Sequence, residues 1–160
     1  MFRTQMRSLL LGALAFSLLS ICSEGSDDGK SVYDVLESYN FPRGILPTNA
    51  NDYVLNPDGS FQVFLDKLCS FAIEAGYQLR YERKISGNIS PGFLKNLRGI
   101  SVKIAFFWLD ISEVELSDGQ LEFYVGPFSA AFPLSNFFVC PTCGCGLDCD
   151  SRPEGLVSSY

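Results

Sequence analysis

The chain has 160 residues, 47% of them hydrophobic and 19% charged, which bounds it to one domain of ordinary globular balance plus any processed segment. Its net charge of −6, with basic residues that do not cluster along the sequence, argues against a nucleic-acid partner. It contains no histidine, which excludes Ser-His-Asp and Cys-His nucleophile pairs, the H-E-x-x-H zinc proteases and every His-ligated metal or haem site.

The first 23 residues have the layout of a secretory signal peptide. Arg3 and Arg7 form the positive start, Ser8 to Ile21 the apolar stretch, and the small residues near Cys22 to Gly25 the cleavage region. The stretch is shorter than the roughly 20 residues a membrane anchor needs, and acids follow it where a stop-transfer segment would carry bases. Cleavage would remove two cations and no acid, taking the net charge from −6 to −8. The expected compartment is the secretory pathway, with the extracellular or wall space or a vacuole as the destination, where disulfides form.

Residues 24–30 read as a polar, acidic linker. Then Val32, Val35, Leu36 and Tyr39 recur at i, i+3, i+4 and i+7 behind Ser31, which predicts one short capped helix ending before Pro42. From Asp52 the period becomes 2. Asn56-Pro57-Asp58-Gly59 between two alternating runs predicts a hairpin, with Phe61, Val63 and Leu65 on one face. Further strands are expected over 69–74, 77–83, 84–89, 100–110, 111–116, 120–125 and 130–134, with Gly and Pro punctuating them every 8–12 residues. The fold class is therefore mainly β, an antiparallel pseudobarrel or sandwich preceded by one short N-terminal helix. No second apolar run is long enough to span a bilayer, since residues 102–109 supply only eight.

Phe106, Phe107 and Trp108 lie in that unbroken run and are expected in the core, or else lining an apolar pocket together with Phe123. Arg80, Arg83 and Lys84, the densest basic group, read as a solvated strand end. Glu113 and Glu115 share a strand face beside Ser117-Asp118-Gly119 and read as a solvent face, not as an acid/base pair. Asn88-Ile89-Ser90 is an N-glycosylation sequon, expected on a surface loop.

Five blocks carry a family resemblance: "SVYDVLESYNFPRGILP", "LNPDGSFQVFLD", "YERKISGNISPGFLKNLRGISVK", "FFWLDISEV" and "FPLSNF". From about Ser31 to Cys143 the chain resembles the plant domain-of-unknown-function family 538. The resemblance implies a small β-rich pseudobarrel after a short helix, usually secreted, likened to lipid-binding bactericidal/permeability-increasing modules and linked to chlorophyll. It implies no enzyme of settled mechanism. It also implies a cysteine like Cys69 and a terminal C-P-x-C-G like residues 140–144; Cys145 and Cys149 depart from that pattern.

The cysteines of "CPTCGCGLDC" have three readings: a zinc site, a redox C-x-x-C and a disulfide staple. Ten residues are too few to wrap two zinc knuckles around an ion, and the Pro and Gly content provides no helix N-terminus to activate a thiol. Disulfides among Cys69, Cys140, Cys143, Cys145 and Cys149 are expected instead, with Cys69 joined to Cys140 or Cys143. If Cys22 leaves with the leader, the remaining five make one cysteine free or intermolecular. No metal, cofactor or catalytic residue is assigned. The functional expectation is a secreted, non-enzymatic β-barrel domain binding an apolar ligand, a lipid or chlorophyll-like pigment. The alternatives are a cell-surface protein binding another macromolecule, of unknown identity, and a pigment or lipid ester hydrolase.

Overall fold

A computed structural model of the chain describes residues 29–73 and 76–147. The expected leader, most of the linker and Cys149 lie outside these residues.

Helix α1 (Val32–Ser38) begins where Ser31 closes a capping box: its Oγ accepts from the Asp34 N–H, and the Asp34 carboxylate accepts from the Ser31 N–H at 2.9 Å. Asn40, at φ 67°, ends it; the Phe41 N–H then reaches back to the Leu36 carbonyl and the Asn40 N–H to that of Glu37. Arg43 folds back onto Asp34 and Glu37 and ties the next turn to the helix. Val32, Tyr33 and Leu36 are buried against the sheet.

The strands are β1 (Ala50–Leu55), β2 (Ser60–Leu65), β3 (Cys69–Ala72), β4 (Gln78–Ser90), β5 (Phe93–Ile104), β6 (Phe107–Asp110), β7 (Glu113–Ser117), β8 (Gln120–Val125) and β9 (Phe128–Pro133). All pairings are antiparallel, in the order β1-β2-β4-β5-β7-β8-β9, with β3 beside β4 and β6 beside β5. The mainly β, antiparallel class and the preceding helix match expectation. Closure does not: among the described residues no pairing joins β1 to β9, so the sheet is open and is not a barrel. Its inner face is covered instead by α1, by Phe41, Ile45 and Leu46, and by the turn Leu134–Phe137, whose Phe137 packs on Phe123.

Strands β4 and β5 carry a change of partner halfway along. Their lower halves pair with β2 and β7, their upper halves with β3 and β6. At the junction β4 bulges over residues 82–85 against Gly99, whose φ is 93°. A Cβ there would stand 2.4 Å from the Lys84 carbonyl oxygen, so the close crossing requires glycine.

Two expectations fail in this region. The segments 77–83 and 84–89 are one strand, because the chain bulges between them without turning. The run 100–110 is two strands, because Ile104 pairs with Phe107 across a two-residue turn. Ala105 occupies the left-handed region there, at φ 56°, with no Gly, Asn or Pro to announce it. Among the described residues no helix is long and apolar enough to cross a membrane.

Candidate binding site

Beneath α1 lies a cleft lined only by apolar contacts, from Val32, Val35 and Leu36 on the helix and from residues such as Phe61, Ile85 and Leu97 on the sheet. Its volume is about 40 Å³, whereas small-molecule pockets run to roughly 300 Å³ and more. The cleft is a packing gap under a seven-residue helix, not an open cavity. The helix is held down by Tyr33, whose hydroxyl donates to the Pro47 carbonyl at 2.6 Å. Burial pushes the Tyr33 phenol up to about 12, and the Ala50 amide and the Arg43 charge offset only part of that. Tyr81, fully enclosed, is likewise raised by burial and donates to the Ile45 carbonyl at 2.8 Å.

None of the four residues expected to line a pocket lines this one. Phe106 and Phe107 are 90% and 69% exposed at the β5–β6 tip, because the apolar run turns there instead of continuing through the core. Trp108 lies on the outer face under the Arg80 guanidinium, which stands 3.9 Å from the ring centroid. Phe123 packs against the core, edge-on to Phe132 and tilted against Phe137. Four aromatics thus serve three surfaces.

The cysteines resolve as a staple. Cys69 on β3 bonds Cys143 across 74 positions of sequence, one of the two pairings expected. Cys140 and Cys145 are also disulfide-bonded, and no described cysteine is a free thiol, so the expected odd thiol is not found among these residues. The segment beyond Cys140 lies along β3, where the Gly144 N–H donates to the Ser70 carbonyl. Among the described residues no cluster of His, Cys, Asp or Glu is suited to hold a metal.

Asn88 sits inside β4, not on a loop, half-buried and accepting from the Asn96 amide at 3.2 Å. Glu113 faces Lys95 at 3.4 Å, and Glu115 accepts from the Tyr124 hydroxyl. They are separate surface contacts.

Sequence reasoning missed one constellation. Strand pairing sets Arg80 and Lys84 of β4 beside Arg98 and Lys103 of β5 on the outer face, with Lys95 further along. These cations are scattered over 24 positions of sequence and gathered by the β4–β5 ladder. The period-2 placement of Arg80 and Lys84 was the available signal; the β5 half was hidden because residues 93–99 did not read as strand.

Comparison with known proteins gives the chain a family. The family model described as "Protein of unknown function, DUF538" matches residues 32–138, two-thirds of the chain. The chain belongs to the DUF538 family. That match starts at α1 and ends just past the Leu134–Phe137 turn, so it covers the cleft, all nine strands and the cationic outer face. The chain is also similar to the uncharacterized protein At5g01610 of Arabidopsis thaliana, 21% identical over 98 residues. That match covers 61% of this chain and 57% of the relative, so the chain spans little more than half of that relative's length.

Proposed function

We propose that this DUF538 chain is a non-enzymatic binding domain of the secretory pathway that admits an apolar chain of a lipid between α1 and the sheet. One observation carries the reading: the space under α1 is apolar on every side, so a polar ligand would lose its hydration there without replacement hydrogen bonds. Its small volume favours a thin aliphatic chain over a planar tetrapyrrole, and entry requires α1 to swing outward about Asn40 and Pro42. The secretory setting is supported by the leader-like first 23 residues and by the disulfide-bonded cysteines.

Native mass spectrometry of the protein purified from its source tests this. A co-purifying apolar mass is expected, together with fluorescence of a hydrophobic dye that weakens in a Val35→Gln variant. A clean apo mass with no dye binding would overturn the reading. The outer-face cations favour a second reading, recognition of a larger anionic partner at the surface.

A further inference from the structure

The β5–β6 tip and the outer face behind it form a graded surface. At the extreme end stand Phe106 and Phe107, 90% and 69% exposed, joined by a turn in which Ala105 takes a left-handed conformation. Soluble two-residue hairpin turns favour Asn, Asp or Gly at such positions, and here the chain spends them on apolar groups. The next cross-strand pair on the outer face is Lys103 and Trp108. Arg80 follows, stacked on Trp108, and then Arg98 and Lys84. Among the described residues Lys84, Arg98 and Lys103 have no carboxylate within ion-pair distance, whereas Lys95 is matched by Glu113. Acids do share the face. Asp110 and Glu82 are exposed near the cations, and Glu113, Glu115 and Glu122 stand on β7 and β8, towards the opposite end. The β8–β9 turn, with its exposed Phe128, points the same way as the tip.

We propose that this end of the sheet docks on an anionic lipid bilayer, with Phe106 and Phe107 inserted among the acyl chains and Lys103, Arg80, Arg98 and Lys84 against the headgroups. The order along the strands matches the layering of a membrane surface. Interfacial segments bury their apolar part about 5–10 Å deep, and a strand rises about 3.3 Å per residue. Insertion of the tip therefore sets Lys103 and Trp108 at headgroup depth, the level where Trp and basic side chains are most favourable. A soluble polyanion would account for the cations and leave the two phenylalanines without a role. The docking surface is separate from the cleft beneath α1, and each can fail without the other.

Trp108 is the only tryptophan in the chain, so its emission reports the contact directly. The oxidised full-length chain is titrated with phosphatidylcholine vesicles and with vesicles that also contain phosphatidylserine. Binding with a blue shift of Trp108 emission is expected for the second kind, with much weaker binding to the first. Phe106→Ser with Phe107→Ser should lower binding by at least tenfold and remove the shift. Lys84→Gln, Arg98→Gln and Lys103→Gln should each cost about fivefold and flatten the salt dependence. All five positions lie on the surface, and matched melting curves confirm folding. Val35→Gln should leave vesicle binding unchanged, which separates this test from that of the cleft. No binding to the phosphatidylserine vesicles overturns the proposal. So does binding that survives loss of both phenylalanines and is competed away by a soluble polyanion such as heparin.

Discussion

The two halves of β4 and β5 belong to one pair of strands and behave as two regions. In the lower half, β2, β4, β5 and β7 present Val63, Ile85, Ile89, Leu94 and Val114 to α1, and one face is dry and the other wet. In the upper half, β3, β4, β5 and β6 form a smaller sheet, fastened by the Cys69–Cys143 bridge and ending in an exposed aromatic tip. Helix packing stabilises one region and covalent linkage the other. A sheet end that is not covered by its own chain can keep apolar residues available for something else.

The sharpest way to break this comparison is to remove the bridge. Cys69→Ser with Cys143→Ser should cost about 4 kcal/mol, the chain-entropy value for a loop of this length. Hydrogen exchange should accelerate in β3 and residues 140–147 first; equal acceleration under α1 would show that the regions are not distinct. Next in size, Leu36→Ala should cost about 3 kcal/mol through the cavity it leaves, with faster exchange concentrated in α1 and the lower strands.

Alkaline pH addresses the loop between the regions, where Tyr33 and Tyr81 both donate to backbone carbonyls. The Tyr33 pKa is raised from 10.0 to about 12, so its neutral phenol contributes fully below pH 10. That contribution is lost as pH climbs from 10 through about 12, because the unfolded chain ionises first. Melting temperature should fall across this window, and Tyr33→Phe should soften the fall. Phenolate absorbance from all tyrosines near pH 10 in the folded protein would contradict the buried placement. The smallest effect belongs to Arg80→Ala, where loss of the stack on Trp108 should cost about 0.5–1 kcal/mol and alter Trp108 fluorescence without touching the lower half.

The same division governs what the sequence revealed. Helix α1 was legible because Ser31, the apolar spacing and Pro42 agree, and the β1–β2 hairpin because Asn56 to Gly59 carry turn chemistry. Strand β8 falls on the expected residues 120–125. In the upper half, by contrast, Ala105 and Phe106 turn the chain without a turn residue, so an exposed tip read as a core strand. The first half of β5 was hidden by Asn96, at φ 52°, and Gly99, which signal bulges only once the partner strand is known. The cationic face is a product of register, and register is a pairwise property that no single segment displays. The cleft belongs to packing between α1 and the sheet, which periodicity marks as buried without marking a gap.

The bridge also sets a calendar for assembly. All nine described strands precede Cys143 in the chain, and β3 lies off the main path of the sheet, paired with β4 alone. During synthesis β3, four residues long, has only its pairing with β4 to hold it until the tail emerges. A nascent chain stopped before residue 143 would own every described strand and lack the latch on one of them. Closure of Cys69 on Cys143 is therefore a mark of progress along the chain, available only once synthesis has passed residue 143.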